Sequence, residues 1–273
     1  MGILDKFSLN NHVVVVTGAT GVLGKSFVDA LAEAGAKVAV LGRNVEKLQE
    51  RVTAIEERGA EALAIQVDVL NESDVIKAKD EILAKWGTID GLVNAAGGNI
   101  PGSTINPDQN LFDHNVQDTL KAIELNLYGT IIPTHIFGRV IAESGKGSIV
   151  NISSLAASRP MTRVLGYTVA KHGVDGYTKW MSVELALRYG DKVRVNAIAP
   201  GVFLTEQNRT LLINPDGSYS ARAQKFINGM PFQRLGEPEE LMGTLVYLLS
   251  DASALVTGET IFVDGGFNSW CGV

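Results

Sequence analysis

Short, continuous apolar runs alternate with longer amphipathic stretches along almost the whole of this 273-residue chain, and no other feature limits its fold so tightly. The runs Val13–Thr17, Lys37–Leu41, Ala62–Val67, Ile89–Val93, Ser148–Ile152, Val193–Ile198 and Ile261–Asp264 read as strands. They are apolar at successive positions rather than at every second one, the pattern of strands covered on both faces. Between them, Val22–Ala34, Val45–Arg58, Ser73–Trp86, Gln117–Glu143, Tyr167–Tyr189 and Pro238–Leu249 carry helical spacing. Gly35, Gly59 and Gly87 stop the first three, and a proline opens the last. Parallel neighbours need crossovers of this length, so the sequence predicts an α/β fold: a doubly wound parallel sheet of seven strands with helices on both faces. A hydrophobic share of 45% suffices to cover both faces. No repeat, low-complexity tract or linker divides the chain, and residues 1–273 are expected to form one domain. Two long polar gaps, 98–116 and 201–236, each follow a strand. In open α/β sheets such loops build the binding crevice.

Charge narrows the partners. Lys and Arg number 24 against 30 Asp and Glu, a net −6 that argues against a nucleic-acid scaffold or a polybasic membrane binder. The single cysteine, Cys271, excludes an internal disulfide framework and a thiolate metal site. Its solitude fits a reducing, cytoplasmic setting. The first residues, Met-Gly-Ile-Leu-Asp-Lys, lack the basic segment and long apolar stretch of a secretory signal, and Lys6 stands where a myristoylation motif needs Ser or Thr. No apolar run approaches the ~20 residues needed to span a bilayer. The four histidines, His12, His114, His135 and His172, show no paired ligand spacing, so no metal is expected.

Three motifs carry chemistry. Thr17-Gly18-Ala19-Thr20-Gly21-Val22-Leu23-Gly24 follows the first strand and opens the first helix. Glycines there let the backbone approach a pyrophosphate, while the helix N-terminus offers amide donors; the plain alternative is a glycine-rich turn with no ligand. At the end of the second strand stand Gly42 and Arg43, where an acidic residue would accept from ribose hydroxyls. A guanidinium there can pair with a 2′-phosphate and favours NADP over NAD, unless Arg43 is only a surface residue starting a helix. Tyr167 and Lys171 form an i,i+4 pair on one helical face, placing an ammonium near a phenol whose unperturbed pKa is near ~10. A lone pair of this kind arises by chance, but Ser154 lies just past a strand, where a hydroxyl can bond a carbonyl as charge develops on it. Asn126 sits inside the long helix before that strand, either as a functional amide or as a satisfied core amide.

Together Thr17–Gly24, Asn94-Ala95-Ala96-Gly97, Asn126, Ser154, Tyr167-x-x-x-Lys171 and Pro200-Gly201-x-x-x-Thr205 resemble the short-chain dehydrogenase/reductase family, in order and from about residue 10 to the end. One departure is visible. Short members of that family usually carry Thr-Gly-x-x-x-Gly-x-Gly, whereas this chain has the Thr-Gly-x-x-Gly-x-x-Gly of the longer, epimerase-like branch. The resemblance implies a Rossmann-like domain and hydride transfer between a nicotinamide and a carbonyl or alcohol. It implies Tyr167 as general acid/base, Lys171 holding the nicotinamide ribose and depressing the tyrosine pKa, Ser154 orienting the carbonyl, and Asn126 anchoring a relay water. It implies cofactor contacts from Gly18, Thr20, Gly21, Val22 and Leu23, from Asp68 and Val69 at the adenine, and from Asn94, Ala95, Ala96 and Gly97 beside the sheet. Pro200, Gly201, Val202 and Thr205 would lie near the carboxamide. It also implies that Gln117–Glu143 and Tyr167–Tyr189, which carry apolar residues on more than one face, pack against a two-fold mate in a tetramer.

The family leaves the substrate open. Arg159 and Arg163 precede Tyr167, and Gln207, Asn208 and Arg209 follow Thr205 in the 201–236 substrate-loop region. Such polar loops suit a polyhydroxylated carboxylate better than a steroid or acyl chain, with Arg163 or Arg209 gripping the carboxylate and Gln207 binding hydroxyls; the plain alternative is solvent-facing loop polarity. Phe203–Leu212, Gly236–Leu241 and the tail Gly265–Val273 resemble the D-mannonate oxidoreductases (fructuronate reductases) within the family, which implies a D-fructuronate/D-mannonate pair. A gluconate 5-dehydrogenase-like or 3-oxoacyl reductase-like enzyme would keep every catalytic residue and change the loops. A non-catalytic nucleotide-sensing protein usually lacks the Tyr or the Lys, and both are present.

Overall fold

The structure, a computed structural model, describes residues 2–205 and 208–272. Its strands are β1 Val13–Thr17, β2 Lys37–Gly42, β3 Ala62–Gln66, β4 Gly91–Asn94, β5 Gly147–Ile152, β6 Val193–Pro200 and β7 Thr260–Val263. All pair in parallel, in the order β3-β2-β1-β4-β5-β6-β7. The chain winds outward from β1 on one side and from β4 on the other, so the reversal falls between these two neighbours and opens a crevice at their carboxyl ends. The helices are α1 Val22–Glu33, α2 Val45–Glu56, α3 Glu72–Trp86, α4 Val116–Ile123, α5 Gly129–Ser144, α6 Leu165–Tyr189, α7 Arg209–Leu212, α8 Ala221–Asn228 and α9 Met242–Leu249.

The run of four valines in β1 shows why its apolar pattern is continuous. Val14 and Val16 pack with Phe27, Leu48 and Leu245 of α1, α2 and α9; Val13 and Val15 pack with Ile82, Phe137 and Leu185 of α3, α5 and α6. Both faces are closed, as the pattern required. The predicted α/β architecture stands, a single unit with helices on both faces.

Four local differences separate expectation from structure. The expected helix Gln117–Glu143 is interrupted by a wide π turn at Glu124–Tyr128, where Gly129 N–H bonds Glu124 O. The turn displaces the normal i→i−4 ladder, and the Asn126 Nδ2 donates instead to the Ala122 carbonyl at 2.8 Å. Residues 201–236 are not a plain loop. They contain α7 and α8 and bury a small core of their own: Val202, Leu212, Ala223, Ile227, Met230 and Leu235. The last expected helix begins with a tighter 3₁₀ turn, Pro238–Leu241, before α9. The fourth strand begins at Gly91 rather than Ile89.

A buried polar ladder crosses the centre of the sheet. Asn94 at the end of β4 donates to Asn151 of β5 at 2.9 Å and to Thr134 of α5 at 2.8 Å. Asn151 donates in turn to Thr178 of α6 at 2.9 Å. On the outside, Val116 and Leu120 of α4 and Trp180, Val183 and Leu187 of α6 are exposed. Among the described residues no helix is long and apolar enough to cross a membrane.

Candidate active site

The glycine turn sits at the β1–β4 crevice. Thr17 is fully buried, and its Oγ1 accepts from the amides of Ala95 (3.1 Å) and Ala96 (3.2 Å), which draws the end of β4 against the turn. Gly18 adopts φ +65°, and a Cβ there would fall 2.7 Å from the Ala95 carbonyl oxygen, so only glycine fits. Gly24, in the first turn of α1, presses on the Gly18 carbonyl for the same reason. Gly21 is different: its φ is −74° and a Cβ would meet nothing closer than 3.4 Å. It stands at the N-cap of α1 and contributes no side-chain acceptor, whereas Asn44, Asn71 and Asn115 cap α2, α3 and α4. A helix start left bare beside a close-packed glycine turn fits a pyrophosphate, which would take those amides.

Thr20 lies over Gly42, where a Cβ would come within 3.1 Å of its methyl group. Arg43 is exposed, forms no ion pair among the described residues, and its carbonyl accepts from Gln66. Asp68 folds back onto the Leu70 amide at 3.0 Å, and Val69 is buried against Gly129. Asn94 is committed to the polar ladder, while Ala95 and Gly97 line the cavity beyond it.

Ser154, Tyr167 and Lys171 converge on one cavity of about 200 Å³, whose wall also includes Leu23, Pro200, Gly201, Val202 and Thr205. Ser154 is placed by the end of β5, and Tyr167 and Lys171 by the first two turns of α6. The Lys171 ammonium lies 5.5 Å from the phenol ring centre and donates to the Ile152 carbonyl at 2.7 Å. Asn126, fully buried, accepts from the Gly98 amide at 2.8 Å and donates to its carbonyl at 2.9 Å. A Cβ on Gly97 would fall 2.6 Å from Asn126 Oδ1 and 3.6 Å from Lys171 Nζ, so this edge must be glycine for the site to close.

The surroundings of these side chains add detail. Burial pushes the Tyr167 phenol above its usual value, with the Ser154 hydroxyl pulling the other way. Burial also draws the Lys171 ammonium down to about 8, opposed by the Asp175 carboxylate one turn along α6. Both amide hydrogens of Asn126 are spent on the carbonyls of Gly98 and Ala122, so its side chain holds the loop edge.

The arginines fall differently from the sequence expectation. Arg209 is exposed at the start of α7 and does not line the cavity. Arg163, at φ +79°, points to the 98–116 loop, donating to Ile105 O and Asn106 Oδ1 at 3.0 Å each. Arg159 grips the tail through the carbonyls of Asn268 and Trp270. Gln207 lies outside the described residues. Asn208 lines the cavity, yet its amide is consumed by Thr205 N and Phe203 O. The guanidinium on the wall is Arg222 of α8, which sequence reasoning missed; its only signal was the i,i+4 spacing to Phe226 in a stretch read as loop.

Comparison with known proteins now identifies the class. A family model described as Enoyl-(Acyl carrier protein) reductase matches residues 18–268. The chain belongs to the short-chain dehydrogenase/reductase family of oxidoreductases. It is 40% identical over 275 residues to the uncharacterized oxidoreductase UxuB of Bacillus subtilis, covering 97% of this chain and 98% of that one. A Haemophilus influenza protein provisionally named a D-mannonate oxidoreductase, solved with NAD bound, superposes with a TM-score of 0.89 at 35% identity, over 97% of this chain and 98% of that one. A gluconate 5-dehydrogenase from Burkholderia cenocepacia, in complex with NADP and tartrate, gives 0.85 at 32%, over 98% of this chain and 100% of that one.

Proposed function

We propose that this chain is an NAD(P)-dependent oxidoreductase of a sugar acid, interconverting D-fructuronate and D-mannonate or a close relative. The observation that carries the reading is the convergence of Ser154, Tyr167 and Lys171 on a cavity whose wall also holds the Arg222 guanidinium. Two structural neighbours support it, one named for mannonate and one for gluconate and holding tartrate. A nicotinamide dinucleotide held at the Gly18–Gly24 turn and by Lys171 would supply or accept the hydride. Ser154 orients the substrate oxygen, and Tyr167 gives or takes the proton at that oxygen. Lys171, held by the Ile152 carbonyl, keeps a positive charge beside the phenol, and Asn126 fixes the Gly97–Gly98 edge against both. The exposed apolar side chains of α4 and α6 fit a homo-oligomer, with a tetramer the reading we adopt.

The test is kcat/KM for fructuronate, 5-ketogluconate, fructose and a 3-oxoacyl thioester on one preparation. Fructuronate is expected to lead, with fructose at least ~30-fold lower, because the neutral ketose leaves the guanidinium unpaired. Preference for the thioester, or indifference between fructuronate and fructose, would end the sugar-acid reading.

Both dinucleotides occur among the neighbours, and in this chain the exposed Arg43 at the end of β2 favours NADP. Arg43→Ala should raise the KM for NADP several-fold and leave that for NAD almost unchanged. An equal rise for both would show that the guanidinium does not meet the 2′-phosphate.

A further inference from the structure

We propose that Arg222 is the residue that recognises the substrate's carboxylate, with Asn99 on the same cavity wall accepting from a substrate hydroxyl; the proposal rests on the sugar-acid reading. Arg222 is set in place by its helix. Ser220 caps α8, and Ala223 and Ile227 drive one face of it into the small core of residues 201–236. That leaves Arg222 and Phe226, one turn apart, side by side on the cavity wall. The guanidinium carbon lies 5.2 Å over the Phe226 ring, which fixes its plane, and Phe226 is in turn backed by Phe267 at 6.3 Å.

Among the described residues the guanidinium meets no anion. Its protein acceptors are the Thr162 carbonyl at 3.3 Å and hydroxyl at 3.4 Å, both long contacts that leave most of its five donors unused. Burial, and then the like charge of Arg163, both disfavour the cation here. Among the described residues neither Arg222 nor Arg163 meets a carboxylate, although Arg139, Arg188 and Arg234 each pair with a glutamate on the open surface. A half-buried cation on the wall of a ligand cavity, close enough to Arg163 to feel its like charge and with no carboxylate partner among the described residues, is complementary to a carboxylate that binds through both oxygens. The neighbouring wall is Met161, Leu211 and Leu212, which offers a neutral hydroxyl nothing in exchange for its water. Asn99 supplies the other polar contact: it lines the same cavity, and its buried Oδ1 meets no donor among the described residues. The Asn208 amide, also on the wall, is bonded to its own loop.

The experiment measures kcat/KM for fructuronate and fructose on the full chain as wild type, Arg222→Met and Arg222→Lys, each checked for folding by thermal melting. Met keeps the stem over Phe226, so the ratio of acid to neutral substrate isolates the charge. That ratio should collapse by ~30- to 1,000-fold in Arg222→Met, mainly through KM for the acid, with Arg222→Lys between the two because the fork is lost. An undiminished acid preference in Arg222→Met would overturn the assignment while leaving the sugar-acid reading intact, as would equal losses on both substrates. A wild type without acid preference would overturn the reading itself, and this assignment with it. Should Arg222→Met not fold, full retention of the ratio in Arg222→Lys would likewise refute the bidentate grip.

Discussion

Tyr167→Phe is expected to reduce kcat by at least ~10²-fold while the protein still folds and still binds its dinucleotide. The phenol is half-buried beside Ser154, on the same helical face as Lys171, and the substitution removes one oxygen from a cavity that keeps its shape. Its neighbours are anchored to the backbone, the Ser154 Oγ accepting from the Ala156 amide and the Lys171 ammonium donating to the Ile152 carbonyl. Burial holds the unliganded phenol protonated at neutral pH, the form that carbonyl reduction needs. Lys171, drawn down to about 8, is still charged there. Steady-state kinetics of both directions, with dinucleotide titration by fluorescence, decides the matter. A variant keeping more than about a tenth of wild-type kcat, a loss under ~1.4 kcal/mol in the barrier, would remove Tyr167 from the role.

The largest effect on stability should come from Gly18→Ala. A left-handed residue with a Cβ costs about 1–2 kcal/mol, and overpacking a closed contact about 1–3 more, so a loss of roughly 2–5 kcal/mol is expected. The atoms a Cβ would strike, at 2.7 Å, all belong to the Ala95–Ala96 backbone, which cannot swing aside as a side chain would. Gly21→Ala is the internal control, since its φ is negative and its nearest contact is 3.4 Å; its stability should change by under ~1 kcal/mol. Urea denaturation of the two variants checks this, and equal midpoints for Gly18→Ala and wild type would contradict it.

The fold was legible because covering both faces of a strand leaves a mark on successive residues, and β1, β2 and β6 carry it plainly. The residues proposed for catalysis were legible because Ser154 sits at a strand end and Tyr167 and Lys171 at a fixed helical spacing, so local sequence places them. The π turn at Asn126 left no trace: one extra residue in a turn shifts the apolar pattern less than the natural scatter of that pattern. The wall around Arg222 was the least legible part. Thr162, Arg222 and Phe267 come together from three distant segments, and the contacts that set Arg222 apart from Arg163 and Arg209 exist only after folding. In the sequence all three arginines look alike.

The ladder through Asn94 and Asn151 has a consequence for how the chain finds its register. A strand such as Val-Val-Val-Val against another apolar run scores nearly as well when displaced, because one valine is much like the next. The amides end that degeneracy. Asn94 stands opposite Asn151 in the β4–β5 pairing, and any displacement would strand both in an apolar interior with their hydrogen bonds unmade. Two polar residues at the middle of the sheet therefore act as a spelling check on the whole assembly, rejecting slipped pairings that greasy side chains alone would let pass.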